Sequence, residues 1–387
     1  MLRCILAKII WLLLHVSEIF PTINNKLLFI PKNGEYYCNL KYIDMYMREH
    51  SSPIQVIWGE KKGIHLSYPK KVKRCTFLSL SFWFHLFTAK SVVFNDSIPC
   101  YFYKKRDQYY INTWHGGGAY KGVAAVFRDE PDLYKRRRVQ WAIKNYDFWV
   151  SSCEKFSEAI KQDTDIVQIN PEIRFLGFGM PRNDIFFRKD QIQKAKDRVL
   201  KRYNILEDYG IVLYAPTFRK DFFYNDLDIV KLKEALQKRL KKPFILLLRS
   251  HPHIADDIFE KLENRKGVID VSKYPDMQEL LCAADVLITD YSSSMWDFSF
   301  TGKPCFIYAN DIVSYKADRD FHTPIEEWPF PVASNNEELQ ENICNFDEKK
   351  YAQDIDLHHR NLGSYEDGHA AERVSNFIIG LCSDKEK

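Results

Sequence analysis

The sequence predicts an α/β protein built from two parallel-sheet domains. Short apolar runs alternate with helical stretches along most of the chain, the pattern of strands joined by helical crossovers. The 387 residues suffice for two domains, each with its own core. A charged stretch over 188–210, RKDQIQKAKDRVLKRYNILEDYG, falls near the middle and predicts a helix that opens the second half. A composition of 45% hydrophobic and 28% charged residues excludes collagen-like, disordered and low-complexity classes. The net charge of +4 gives no argument for a nucleic-acid partner. The nine cysteines form no C-x-x-C pair. A disulfide framework or structural zinc site is therefore not expected, and a reducing compartment fits best.

The chain starts MLRCILAKIIWLLLHVSEIF. Residues 9–14 are apolar but bracketed by Lys8 and His15, far short of the ~20 residues of a membrane span. No small-residue cleavage site follows before Pro21. The segment reads either as an interfacial helix, with Trp11 in lipid and Arg3 and Lys8 at headgroups, or as an ordinary core helix. Basic runs follow at 70–74 (KKVKR) and 135–138 (KRRR). Together they keep an anionic membrane surface in view as a partner. The apolar block over 77–87, FLSLSFWFHLF, predicts a buried helix leading into a strand.

In the first half, KLLFIP, IQVIWG, SVVFN, YYINTWHG, YDFWVSS and IRFLGFG read as strands. The second half continues with strand GIVLYAPTF, helix DIVKLKEALQKRL, strand PFILLLRSHPH and GVIDVS. Helix MQELLCAA, strand DVLITDYSS, helix SMWDFSFTG and strand KPCFIYAN come next, and the terminal EDGHAAERVSNFIIGLC is helical. The expected division is a membrane-interface or docking helix over 1–24, an N-terminal Rossmann-like domain over 25–187 and a C-terminal Rossmann-like domain over 188–387. A cleft is expected between the two domains.

Open parallel sheets bind ligands beyond the carboxyl ends of their strands, and three clusters fall there. In Thr113-Trp114-His115-Gly116-Gly117-Gly118, an imidazole suited to general-base work stands beside backbone free to approach a ligand. The plainer reading is a glycine-rich turn. In Arg249-Ser250-His251-Pro252-His253, the arginine and histidine leave a buried strand and can donate charged hydrogen bonds to phosphate. Its H-x-H spacing also allows a metal, although no carboxylate or cysteine lies at adjacent spacing. Thr289-Asp290-Tyr291-Ser292-Ser293-Ser294 joins a strand to a helix start, which suits an anion or simple serine capping. Thr217 and Arg219 follow another strand, and Gly177–Asp184 reads as a hinge turn. No G-x-G-x-x-G, G-K-[ST], G-x-S-x-G or H-E-x-x-H occurs, which weakens dinucleotide-oxidoreductase, P-loop, hydrolase and zinc-protease readings.

In this order, NTWHGGG, GFGMPRND, YAPTFRKD, LLRSHPH, ADVLITDYSS with WDFSFTGKPCFIYAND, and EDGHAAERV make the chain resemble the CDP-glycerol glycerophosphotransferase family of teichoic-acid primases and polymerases. The resemblance runs from about Asn112 to Val374. It implies a GT-B-like fold of two Rossmann-like domains facing a central cleft. It further implies a CDP-glycerol or CDP-ribitol donor held largely by the C-terminal domain over 188–387, a lipid-linked or polymer acceptor at the N-terminal domain over 25–187, and a peripheral place on the cytoplasmic face of the membrane. The catalytic histidines it implies are His115 and His251. Where family members often continue W-H-G with Thr-Pro, this chain has Gly117 and Gly118.

The expected reaction is attack of an acceptor hydroxyl on the β-phosphate of a CDP-alditol, with release of CMP. His115 would take the proton. Arg249 and His251 would meet the diphosphate. Gly116, Gly117, Thr217, Arg219, Asp290, Ser292, Ser293 and Ser294 would bind substrate. No cofactor is expected. Mg²⁺ is conceivable, but no Asp-rich motif in the sequence calls for it. The alternatives are a GT-B glycosyltransferase using a nucleotide sugar and a non-catalytic membrane-surface scaffold.

Overall fold

Continuous apolar runs become strands that are buried on both faces, as crossover-covered parallel sheets require. The computed structural model describes residues 17–63, 68–99, 102–123, 127–217, 227–249, 267–313, 315 and 321–383. The chain divides into two compact units, one of Met1–His115, Val123–Asp184 and Tyr365–Lys387, the other of Gly116–Gly122 and Ile185–Ser364.

The first unit begins with β1 (Ile23–Ile30), α1 (Cys38–Glu49), β2 (Gln55–Glu60), β3 (Arg74–Thr76) and α2 (Leu80–Thr88). It continues through β4 (Ala89–Phe94), β5 (Tyr109–Asn112), α3 (Leu133–Asn145), β6 (Phe148–Val150), α4 (Glu154–Thr164) and β7 (Arg174–Leu176). The seven strands lie in the order β3-β2-β1-β4-β5-β6-β7, all parallel, with Leu28 of β1 opposite Val92 of β4. The second unit holds α5 (Lys189–Tyr203), β8 (Gly210–Ala215), α6 (Ile229–Leu240), β9 (Phe244–Leu248), β10 (Val268–Asp270) and α7 (Met277–Ala283). Then come β11 (Val286–Thr289), α8 (Ser294–Ser299), β12 (Cys305–Tyr308), β13 (Val332–Ala333), α9 (Asn336–Cys344) and α10 (Glu348–Asn361). Its order is β10-β9-β8-β11-β12-β13, again parallel, with Ile288 opposite Tyr214.

Two stretches depart from the expected boundaries. The last helix, α11 (Ala370–Ser383), belongs to the first unit rather than to a domain over 188–387. Its Val374, Ile378 and Cys382 are buried in one core with Leu27, Phe29, Leu40 and Ile43, so the apolar face of α11 is satisfied by the first sheet. Residues Gly116–Gly122 go the other way, into the second unit. There the Tyr120 carbonyl accepts from the His322 N–H at 2.8 Å and Thr323 Oγ1 donates to the Ala119 carbonyl at 2.6 Å.

Smaller differences follow from short range and partial burial. The strands β3 and β13 were not expected; three and two residues long, they lie at sheet edges, where no alternation can develop. The helix within 77–87 is only half buried. Phe82 and Leu86 face inward, while Leu80 is 90% exposed and Leu78 and Phe84 are also open. The N-terminal segment through residue 16, and with it most of the expected interfacial helix, lies outside the described residues.

Candidate active site

Both sheets run outward in two directions from a central pair, β1 and β4 in the first unit and β8 and β11 in the second. Loops leaving these neighbouring strands part in opposite directions, which is where open parallel sheets hold ligands. Each unit carries one such point, and sequence-predicted residues stand at both.

In the first unit, His115 follows β5. Trp114 adopts a positive φ of 51°, an uncommon conformation for a bulky residue. It is held by its N–H to Asn112 Oδ1 at 2.7 Å and by its carbonyl, which accepts from buried Asn39 Nδ2 at 3.1 Å. The indole ring lies over the imidazole with centroids 4.5 Å apart and planes at 30°. The His115 carbonyl accepts from Arg182 Nη1 at 2.6 Å. His115 Nδ1 lies 2.8 Å from the Asn95 carbonyl, an oxygen that can only accept. The proton is therefore on Nδ1, and Nε2 of the neutral ring carries the lone pair.

Two charges flank this ring. Lys32, just beyond β1, places Nζ 3.4 Å from Nε2 and 3.5 Å from Asp96 Oδ2. Asp96, just beyond β4, has its other oxygen 3.9 Å from Nδ1. The Lys32 backbone N–H also donates to Asn95 Oδ1 at 2.8 Å, so the β1 and β4 exits are tied together. Burial first, then the Lys32 ammonium, pushes the imidazole pKa below its ordinary value; Asp96 and the Asn95 carbonyl oppose this. The ring is neutral at neutral pH, yet about a third of the side chain is open. That combination suits a base.

The turn over 177–184 is braced rather than loose. Asn39 Oδ1 accepts from the Arg182 N–H at 3.2 Å. Glu366 accepts from the Met180 N–H at 3.0 Å and from Asn183 Nδ2 at 3.1 Å. Asp184 accepts from the Ala370 and Ala371 N–H groups at 2.9 and 2.7 Å, capping α11. Arg373 returns to the Phe178 carbonyl at 2.7 Å. The GFGMPRND and EDGHAAERV segments are thus each other's partners, and through Arg182 they hold the His115 carbonyl.

In the second unit the sequence-predicted residues form two adjoining groups. Buried Asp290 accepts from the Thr217 N–H at 2.9 Å and from Thr217 Oγ1 at 2.6 Å, joining the β8 and β11 exits. Ser292 Oγ accepts from the Ser294 N–H at 3.3 Å and from Ser294 Oγ at 3.0 Å. Ser293 already has helical backbone angles and makes no side-chain cap; the serine that accepts from the first helical N–H is Ser292, one residue earlier. Ser292 and Ser293 are partly open. Gly117 packs against Trp296 of α8; a Cβ there would lie 2.5 Å from Trp296 Cδ1. Gly116 precedes it, half-buried. Arg249 donates from Nη1 to the Tyr274 carbonyl at 2.9 Å, while its N–H holds the Tyr214 carbonyl. Arg219, His251 and His253 lie outside the described residues. Among the described residues, no group of three or more His, Cys, Asp or Glu side chains is placed to hold a metal ion.

Lys32, Asp96 and Asn39 did not stand out in the sequence. Lys32 and Asp96 directly follow KLLFIP and SVVFN, so applying the strand-exit rule to every strand would have found them. Asn39 acts from a helix start and carries no such signal. His358 and His359 on α10 were also missed. His358 Nε2 is 3.0 Å from Tyr120 OH, His359 Nε2 is 2.7 Å from Ser299 Oγ, and burial lowers each to about 4.

Fold and candidate site together define a protein of two Rossmann-like α/β units with polar side chains gathered at the strand exits of each. A family model described as CDP-glycerol:poly(glycerophosphate) glycerophosphotransferase matches residues 13–380. The teichoic acid glycerol-phosphate transferase of Staphylococcus aureus is 30% identical over 92% of this chain and 93% of its own length. The teichoic acid poly(glycerol phosphate) polymerase of Staphylococcus epidermidis is also 30% identical, over 87% of this chain, which spans only 48% of that protein. A solved structure of the wall teichoic acid polymerase TagF aligns with a TM-score of 0.79 and 28% identity, covering 93% of this chain and 90% of that one. The chain belongs to the CDP-glycerol:poly(glycerophosphate) glycerophosphotransferase family and is an enzyme of that transferase type. A UDP-N-acetylglucosamine 2-epimerase-like structure from Listeria monocytogenes, 12% identical with a TM-score of 0.57, shares the fold alone.

Proposed function

We propose that this enzyme transfers glycerol phosphate, or a closely related alditol phosphate, from a CDP-alditol to an acceptor hydroxyl in teichoic-acid-like polymer synthesis. The observation that carries the reading is the fixed tautomer of His115. Its Nδ1–H is spent on the Asn95 carbonyl, which leaves the lone pair on Nε2, 3.4 Å from the Lys32 ammonium. The acceptor hydroxyl gives its proton to Nε2 as its oxygen attacks the β-phosphorus. The bond from that phosphorus to the bridging oxygen breaks, and CMP leaves with the electron pair. The imidazolium then returns its proton to solvent. Such a transfer asks mainly for positioning and charge stabilisation. We assign the donor to Thr217, Arg219, Arg249, His251, Asp290 and Ser292–Ser294, with Gly116 and Gly117 beside them. His251 adds a second charged donor.

The test is to incubate the purified enzyme with CDP-glycerol, CDP-ribitol and nucleotide sugars, then measure the nucleotide released and the product mass. CMP release with addition of an alditol phosphate supports the reading. Nucleoside diphosphate release from a nucleotide sugar would replace it with glycosyl transfer.

The same proposal places the enzyme peripherally on an anionic membrane surface at the cytoplasmic face. Exposed Leu78, Leu80 and Phe84 follow closely on exposed Lys70, Lys71 and Lys73, a pairing of apolar insertion and charge attraction. Among the described residues no helix is long and apolar enough to cross a membrane. Vesicles containing anionic lipid should bind the enzyme in a salt-sensitive way, and Leu80→Ser with Phe84→Ser should weaken that binding. Unchanged binding by the double variant would remove α2 from the contact.

A further inference from the structure

The Lys32 ammonium sits where neither of its partners holds it well. Its distances of 3.4 Å to His115 Nε2 and 3.5 Å to Asp96 Oδ2 exceed the ~2.7–2.9 Å of a good charged hydrogen bond. The side chain is 41% exposed, so it can turn toward a ligand without leaving its place. Its backbone cannot drift, because the Lys32 N–H is fixed on buried Asn95. The ammonium also points at the one atom of His115 that a substrate hydroxyl must reach. A neutral hydroxyl arriving at Nε2 competes with this cation and offers it nothing in return. A substrate carrying an anionic oxygen a short carbon chain from its hydroxyl resolves both demands at once. The hydroxyl takes Nε2, the anion takes Nζ, and Asp96 keeps the displaced ammonium within reach.

We propose that Lys32 is an acceptor-binding residue that selects acceptors bearing a phosphate next to the attacking hydroxyl. This rests on the reading of His115 as the base. The preferred acceptor is then a glycerol-phosphate-terminated one, such as the growing end of a phosphodiester polymer, rather than an uncharged polyol or sugar terminus. Lysine serves here as a compact point charge with several donors, able to follow a phosphate whose oxygens turn.

The experiment compares two synthetic acceptors with the same terminal glycerol: a short glycerol-phosphate oligomer and an uncharged ether-linked analogue. CMP release gives kcat/KM for each, in the wild type, Lys32→Gln, Lys32→Arg, and Lys62→Gln as a control for general surface charge. Lys62 is exposed and has been given no role. The wild type should prefer the phosphate-bearing acceptor. Lys32→Gln should reduce that preference by ~10-fold or more, the size expected for loss of one charge-assisted contact. Lys32→Arg should keep most of it, and Lys62→Gln should keep all of it. Equal losses on both acceptors in Lys32→Gln would overturn the proposal and leave Lys32 as a positioning residue for His115. An unaltered preference would overturn it too. His115→Ala separates the two readings. If it still releases CMP at near-normal rate the base assignment fails, whereas the preference ratio in Lys32→Gln judges Lys32 by itself. Donor affinity, measured by titration with CDP-glycerol, should not change in Lys32→Gln. A loss there would move Lys32 to the donor and overturn its acceptor role.

Discussion

The two units share one strand order at their centres and furnish it in opposite ways. In the first, the exits of β1 and β4 carry Lys32 and Asp96 around a neutral imidazole whose Nε2 lone pair meets the Lys32 ammonium only at 3.4 Å. In the second, the exits of β8 and β11 are closed on each other by Asp290 and Thr217, with serine hydroxyls beside them. One arrangement can move a proton. The other presents the hydroxyl groups of Thr217, Ser292 and Ser294 beside a buried carboxylate. Under the proposed function, the two sheets supply different halves of a transfer reaction, because fold sets where chemistry can sit and side chains set which chemistry it is.

Removing the imidazole tests this contrast most severely. His115→Ala should lower kcat by ~10²-fold or more while leaving CDP-glycerol affinity nearly intact, as loss of a general base does. The pH profile sharpens the point. Protonated His115 cannot accept, and burial together with Lys32 holds its pKa below the ordinary 6.5. As pH falls, kcat/KM should therefore stay level through 6.5 and decline only lower. An acid limb above 6.5 that disappears in His115→Ala would contradict the depressed imidazole and the geometry behind it.

The second unit should respond differently. Asp290→Ala strips acceptors from the Thr217 N–H and hydroxyl in a buried place, a cost of about 2–3 kcal/mol by the penalty for unsatisfied groups. The thermal midpoint should drop, and donor affinity should weaken as the β8 exit loses its anchor. Asp290→Asn keeps one acceptor oxygen and should fall between. A variant with normal midpoint and donor affinity but turnover as low as that of His115→Ala would break the division of labour, since Asp290 would then act on the reacting atoms.

Much of this was legible in the sequence where the signal is local. Buried parallel strands are apolar runs, so β1, β4, β5, β8, β9 and β11 announce themselves, and the strand-exit rule leads from β5, β9 and β11 to His115, Arg249 and Asp290. What escaped depends on distance along the chain. Asn39 and Arg182 act on the Thr113–His115 backbone from segments far away in sequence, and no periodicity encodes that. The three glycines after His115 read as conformational freedom. Gly118 does use it, with a φ of 66°, but Gly117 is needed for the close approach of Trp296, a reason visible only in three dimensions. The terminal helix is legible as a helix, but its place in the first unit is not. Its apolar face says that it must be covered, while the identity of the covering sheet is a tertiary matter.

That helix supplies the mildest test, and it asks whether the brace behind His115 is structural. Asp184 accepts from the Ala370 and Ala371 N–H groups, which are among those a helix start leaves without internal partners. Asp184→Ala should cost about 0.5–2 kcal/mol, the range for losing an N-terminal cap. The burial of these groups argues for the upper part of that range. Asp184→Asn retains one oxygen acceptor and should recover part of the loss. The first unit contains both this cap and His115, so an indirect effect is also readable. If loosening α11 relaxes the turn that carries Arg182, kcat should fall slightly and in step with the thermal midpoint across Asp184→Asn and Asp184→Ala. If turnover instead collapses while the midpoint holds, the turn over 177–184 takes part in the reaction directly. The contrast between a working first unit and a purely supporting terminal segment would then have to be redrawn.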